Sequence, residues 1–421
     1  MNSVLDELTW RGLIAHSTDL EALGEHLDGG SICAYVGFDP TAPSIHMGNL
    51  VQLMVHRALQ RAGHRPILLV GGSTGLIGDP KQSAERVMND REVVAGWVER
   101  IRSQVARLVD LDGPHAARLV NNLDWTEGLS TLDFLRDVGK HFSENRMLDR
   151  EVVKQRLDTG ISYTEFSYVL LQSLDYRALY RSHGCTLQTG GSDQWGNITA
   201  GVDLIRRSES ARVHALATPL LTKADGTKFG KTESGTVWLD PTMTSPYAFH
   251  QYFLNAEDSM VISYLKVFSE RSRDEVDDLA RQTAEKPYLR VAQRALADDI
   301  TDLVHGVAER RAAERAAAAL FGRSELGELD ARTLAAVGQE LAAPTLRVGG
   351  NLPTVIDALT EAKVVPSRSA ARRAIEEGGA YVNNIRVTDV DATLAETDLL
   401  ADGWVVVRRG KKTVGAVRVE R

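Results

Sequence analysis

Cysteine is nearly absent from this chain: Cys33 and Cys185 are the only two in 421 residues. They stand in unrelated sequence contexts, make no metal-type pair and imply no disulfide framework. Two small buried side chains in a reducing compartment are expected. Long apolar runs are missing as well. Stretches such as Ile67-Leu-Leu-Val70 are far too short to span a bilayer. The amino terminus, MNSVLDELTWRG, carries early acidic residues and no apolar run behind a basic patch, which excludes a secretory signal and points to the cytoplasm. Twelve prolines without a biased tract exclude a disordered chain. Positive charge is in deficit, 49 Lys+Arg against 57 Asp+Glu. That excludes a general nucleic-acid coat protein and leaves room for a local RNA-binding patch.

What is present is a globular composition, 43% hydrophobic and 25% charged, with 35 glycines for turns. The length exceeds one ordinary core, so two or three domains are expected. Charge is uneven: residues 351–421 hold 11 Lys+Arg against 10 Asp+Glu, and the preceding 350 hold 38 against 47.

The first half alternates strand-like and helix-like runs, the pattern of an α/β domain with a parallel sheet. ICAYVGFD (32–39) reads as a buried strand and residues 46–64 as a helix with Leu50, Leu53, Met54 and Leu59 on one face, closed by Gly63. RPILLV then leads into a glycine-rich loop, completing a βαβ unit. A helix is expected over about 90–112, a strand over 117–125, helices through 130–182, and a strand and loop at 185–193. Beyond 240 the periodicity is helical, with the Ala/Arg-rich run 288–321 reading as bundle helices. Residues 324–350 read as a linker, and 351–421 as a small α+β module.

Two distant segments carry the chemistry. Ser44-Ile-His46-Met-Gly48-Asn49 sits where a strand gives way to a helix, the place where free N–H groups and the helix dipole favour phosphate. His46 and Asn49 project from the same first turn and can both donate to phosphate oxygens. Lys228-Phe-Gly-Lys231-Thr232 places two lysines around a glycine in a loop able to close over a triphosphate. Taken singly, a capped helix with an exposed histidine and a solvated basic turn remain open.

Together, HMGN after the first strand and KFGKT after the α/β domain resemble the two signatures of class I aminoacyl-tRNA synthetases. YVGFDPTAPSIHMGN (35–49), VGGSTGLIGDP (70–80), YTEFSYVLLQSLDY (163–176) and LQTGGSDQWGNI (187–198) narrow the resemblance to the bacterial-type tyrosyl-tRNA synthetase family. Asn49 stands where the family often has a second His, and Phe229-Gly230 replace the Met-Ser of the general signature.

The resemblance implies a Rossmann-like catalytic domain over 1–222, with an inserted helical dimerisation region near 120–160. It also implies an α-helical tRNA-binding domain over 223–323 and an S4-like RNA-binding domain after the linker. The implied activity is tyrosine–tRNA ligation through a tyrosyl adenylate, with ATP and its Mg²⁺, tRNA and L-tyrosine as reactants and a homodimer as the assembly. Tyr35 and Asp175 would bond the substrate hydroxyl, a pair whose burial disfavours a substrate without one. Tyr168, Gln172 and Asp175 share a helix face; Asp79, helped by Tyr168 and Gln172, would hold the ammonium group. Asp193 would accept from the ribose and Gln194 lie beside the adenylate, while Gly48 and Gly191 let the nucleotide approach. Asp39 and Thr41 would face the phosphates, and His46, Thr41, Asn49, Lys228, Lys231 and Thr232 would stabilise the departing pyrophosphate without a covalent enzyme intermediate.

The segment 364–387 resembles an S4-type domain. Arg368, Arg372 and Arg373 would form a basic stripe, with Lys411 and Lys412 beside Arg408 and Arg409 as a second cluster. Lys81 and Arg86 are further candidate phosphate contacts. No structural metal is expected. A tryptophanyl-type synthetase, a smaller nucleotidyltransferase and a non-enzymatic RNA-binding protein are the competing readings.

Overall fold

A computed structural model describes residues 3–80, 88–232, 235–322, 325–410 and 413–420, without the side chain of Thr232. Lys81, Arg86, Lys411 and Lys412 therefore lie outside the described residues. The chain forms two compact units, Met1–Met243 with Glu257–Ala292, and Thr244–Ala256 with Gln293–Arg421.

The first unit is built on β1 (His16–Ser17), β2 (Cys33–Phe38), β3 (Arg65–Val70), β4 (Arg118–Asn121), β5 (Cys185–Gly191) and β6 (His214–Thr218), in the order β1-β6-β5-β2-β3-β4. All neighbours run parallel except β1 against β6. The apolar runs CAYVGF and RPILLV are buried almost throughout, as a sheet covered on both faces requires. Helix α1 (Met47–Arg61) connects β2 to β3 and buries Leu50, Leu53, Met54 and Leu59. Helices α2 (Arg91–Ala106), α3 (Tyr163–His183) and α4 (Trp195–Glu209) make the later crossings. Strands 3 and 4 lie to one side of β2 and strands 5 and 6 to the other. The chain direction thus switches at β2/β5, and a crevice opens at the carboxyl ends of these strands.

The structure refines several of these elements. Residues 130–162 carry only short helical pieces, Thr131–Asp137, Glu144–Leu148 and Glu151–Lys154, before the long α3 begins at its Ser162 cap. The run 288–321 is broken by Gly306, at φ +89°, into Val291–His305 and Val307–Leu320. Strand β6, HALAT, is wholly buried and shows no alternation by which to read it. Cys33 and Cys185, unrelated in sequence, are register partners on β2 and β5; both are free and buried, and burial raises the Cys185 thiol.

The second unit overturns the linker expected at 324–350. Residues Ala331–Glu340 form a helix capped by Asp330, and Thr345–Arg347 is a strand, β9. Leu334 and Val337 are buried in a core with Ala313, Ala316, Leu320, Trp404, Val406 and Ala416. β9 pairs in parallel with β13 (Thr413–Glu420) at one edge of a five-stranded sheet. β10 (Ala380–Val382), β11 (Ile385–Arg386) and β12 (Trp404–Arg409) complete it. The helices Val355–Glu361 and Arg368–Glu376 pack on its other core with Val405, Val407 and Val417. Among the described residues, no helix is long and apolar enough to cross a membrane.

Candidate active site

The crevice at the switch point is a cleft of about 440 Å³, walled by the ends of β2, β5 and β6, the start of α1, helix α3 and the segment 228–231. Every site residue expected in the first unit lines it except Thr232, whose side chain lies outside the described residues.

At the floor, Tyr35 and Asp175 are 1% and 2% exposed. Asp175 accepts from Asn122 Nδ2 at 3.0 Å and from Trp125 Nε1 at 2.9 Å. Burial pushes its carboxyl up to about 7, against the lowering effect of those two donors and with a further push from Asp39. The Tyr35 hydroxyl has no hydrogen-bond partner among the described residues. Burial, then the neighbouring Asp175, holds it well above the usual phenol range, so it stays a neutral donor. Tyr35 thus offers a donor and Asp175 an acceptor in the lining of the same cleft. A ligand hydroxyl there would give the Tyr35 hydroxyl a partner that a bare ring would not, while Asp175 keeps its Asn122 and Trp125 donors in either case. Asn122 and Trp125 were not found from the sequence; their only signal is a polar Asn-Asn pair ending an apolar strand.

Further out, Tyr168 donates to Asp39 at 2.6 Å, and Thr74 donates to the other Asp39 oxygen at 2.6 Å. Thr74 in turn accepts from Asn122 at 3.0 Å. Asp39, expected beside the nucleotide phosphates, is thus bonded to Tyr168 and Thr74, and Thr74 is linked to Asn122. A Cβ on Gly71 would lie 2.2 Å from Thr74 Oγ1 and 2.3 Å from Asp39 Oδ1, so glycine is what lets this contact form. Asp79 accepts from Gln194 at 2.8 Å and Asn197 at 3.1 Å. Gln172 keeps a buried Oε1 without a partner among the described residues. Two carboxylates with an amide oxygen suit an ammonium group.

At the other end the two signature segments meet. His46 caps α1: its Nδ1 accepts from Gly48 N–H at 3.1 Å, and its own N–H donates to Asn49 Oδ1 at 3.0 Å. Burial, with smaller contributions from Lys228 and Lys231, lowers the His46 pKa, so the ring is neutral. With Nδ1 accepting, Nε2 carries the proton and is the donor left for a ligand, as is Asn49 Nδ2. The helix cap expected at His46 is present, and it leaves Nε2 as a donor.

The second segment is fastened to the first by backbone pairing. Leu239 N–H donates to Ile45 O at 3.1 Å, Val237 N–H to Gly230 O at 2.8 Å, and Phe229 stacks on Tyr264 and Phe268. Lys231–Thr232 and Gly235–Thr236 form the hairpin β7/β8. Gly230 has φ +82° and abuts Met47, so Lys228 and Lys231 flank the start of α1. Gly48, Gly191, Asp193, Gln194 and Thr41 line the same end.

In the second unit Arg368, Arg372 and Arg373 share the exposed face of their helix, but Arg368 pairs with Asp357 and Arg372 approaches Asp391 at 3.8 Å. Arg408 stacks over Tyr381 at 4.4 Å. His250, Asp298 and Glu314 also cluster in this unit. They are knit by a 3.0 Å His250–Asp298 contact and a 2.8 Å Arg310–Glu314 ion pair.

Comparison with known proteins bears on the whole chain. Residues 28–322 match the family model "tRNA synthetases class I (W and Y)", and 339–416 match a tyrosine–tRNA ligase C-terminal domain. The chain is 63% identical over 417 residues to a tyrosine–tRNA ligase of Cutibacterium acnes, covering 99% of this chain and all of that one. It is 61% identical to that of Kineococcus radiotolerans, covering 100% and 99%. Among solved structures it resembles a C-terminally truncated mitochondrial tyrosyl-tRNA synthetase of Aspergillus nidulans, with TM-score 0.69, 29% identity, 75% of this chain and 93% of that one. A tyrosyl-tRNA synthetase of Archaeoglobus fulgidus complexed with L-tyrosine shares the fold at TM-score 0.56 and 19% identity, covering 73% and 99%. The chain belongs to the tyrosine–tRNA ligases, within the class I tRNA synthetase family.

Proposed function

We propose that this cleft activates L-tyrosine with ATP, giving tyrosyl adenylate and pyrophosphate, and then passes the tyrosyl group to the 3′ end of tRNA. The observation that carries the reading is one cleft with a hydroxyl-reading floor, Tyr35 and Asp175, and a phosphate-reading mouth, His46, Asn49, Lys228 and Lys231. The substrate carboxylate attacks the α-phosphate, and no protein nucleophile is needed. Asp79, Asp39, Tyr168 and Gln172 orient the ammonium end, while Asp193 and Gln194 serve the ribose side with Gly48 and Gly191 leaving room. Thr41, the His46 Nε2 proton and the two lysines meet charge that builds on the departing phosphates; Thr232 is assigned there on the motif alone. Mg²⁺ would enter as part of the ATP substrate.

The second unit would serve tRNA: its matched C-terminal domain is read as S4-like, with the stripe of Arg368, Arg372 and Arg373 against the phosphate backbone. A homodimer is supported by exposed apolar side chains leading into the start of α3, Leu132 at 80%, Leu157 at 51% and Tyr163 at 69%. The test is ATP–pyrophosphate exchange with the twenty amino acids offered singly. Exchange with tyrosine alone is expected, and exchange with tryptophan, or with none, would overturn the reading. Lys231→Ala should lower exchange while leaving tyrosine affinity nearly unchanged.

A further inference from the structure

Asp79 is held from behind by residues that do not line the cleft. Its Oδ1 accepts from Asn197 Nδ2, which also donates to Gln194 Oε1 at 2.9 Å. Asn197 is 2% exposed, and its Oδ1 accepts from Arg150 Nη2. The amide orientation is therefore fixed at both ends: oxygen toward the guanidinium, nitrogen toward the carboxylate. Arg150 lies against the first turn of α4, where a Cβ on Gly196 would sit 3.7 Å from its Nε and 3.8 Å from its Nη2. That is an unfavourable place for a cation, since the start of a helix carries the positive end of its dipole. Burial adds to the cost, and the charge of Asp79 is the largest opposing influence. A cation kept in such a position, with a buried amide between it and a carboxylate, implies that the carboxylate is what it serves.

We propose that Arg150 and Asn197 are positioning residues for recognition of the substrate ammonium group, locking the Asp79 carboxylate toward the cleft through the series Arg150–Asn197–Asp79. The inference rests on the reading of Asp79 as the ammonium-binding carboxylate. Arg150 also lines a second depression with Arg146, Asp203 and Arg207.

The test compares ligands with and without the ammonium group. In pyrophosphate exchange, Arg150→Met and Asn197→Ala should each raise the KM for L-tyrosine about tenfold, the size of one lost hydrogen bond to a charged group. The KM for ATP and the inhibition constant of 3-(4-hydroxyphenyl)propanoate, which lacks the ammonium, should stay unchanged. Arg150→Lys, which keeps a cation and a donor, should restore most of the affinity. In an Asp79→Ala background Arg150→Met should have no further effect on tyrosine. Equal weakening of tyrosine and the desamino compound, or no change in either, overturns the proposal, as does an additive double variant. Absence of tyrosine-dependent exchange in the unaltered protein would instead defeat the functional reading itself.

Discussion

Replacing Tyr35 by Phe should move stability and specificity in opposite directions. The hydroxyl is buried and lacks a partner among the described residues, so in the ligand-free protein it carries a desolvation penalty of about 1–3 kcal/mol. Removing it leaves the ring contact with Tyr176, 5.2 Å between centroids, in place. At about 2–4 °C per kcal/mol for a unit of this size, the ligand-free melting temperature should rise by a few degrees. Tyrosine, by contrast, loses a donor worth about 0.5–1.5 kcal/mol, so its kcat/KM should fall up to about tenfold. Phenylalanine loses nothing and no longer strands the Tyr35 hydroxyl, so discrimination should narrow by more than the tyrosine loss alone. Thermal shift with and without saturating tyrosine, beside pyrophosphate exchange with both amino acids, measures all of this. A lowered melting temperature together with an unchanged tyrosine-to-phenylalanine ratio would refute the assignment of Tyr35 to the hydroxyl.

Asp175 gives a pH signature. Its folded-state value of about 7 lies above the ordinary 3.8, so the folded protein binds this proton more tightly than the unfolded chain does. Stability from this group is present below about pH 4 and lost as pH rises toward 7, by at most about 4 kcal/mol. Asp175→Asn should therefore gain melting temperature relative to the parent across that window, and a pH-independent difference would contradict the sign. Gly230→Ala puts a Cβ 2.7 Å from Met47 Cβ at φ +82°, so the lysine segment should lose its seat; exchange should drop at least about tenfold while tyrosine affinity, by calorimetry, holds. Trp404→Ala should destabilise the second unit by about 3–5 kcal/mol in denaturant titrations, since the indole packs on Gly338. Exchange activity should survive it.

The α/β half was legible because its strands are continuous apolar runs and its helices keep an apolar face, as in CAYVGF and residues 46–64. Tyr35, Asp79, Asp175 and Asp193 could be placed in the cleft from the sequence because those positions fall inside long family-like segments. What stayed hidden has a common physical cause: the information is in contacts between elements. Asn122, Trp125, Thr74 and Asn197 touch no ligand atom by motif, and matter only because β4, the 71–74 turn and α4 converge. That Tyr168 reaches across the cleft to Asp39 was not readable from the loop sequence. The helix at 331–340 was read as linker because only three of its residues, Leu334, Val337 and Gly338, are buried. It is defined by Trp404, more than sixty positions away.

One amide at the floor of the cleft has a consequence for anyone wishing to change the amino acid used. Asn122 gives one N–H to Asp175 and another to Thr74, which passes the constraint to Asp39 and Tyr168. If Asp175 reads the substrate side chain and Asp39 and Tyr168 its ammonium end, as proposed, those groups share a single support. A library that varies the floor while holding the rest fixed will tend to return variants with altered ring preference and poorly seated ammonium groups. Successful redesigns should come from varying 74, 122 and 175 together, with substitutions that supply the support lost by each other.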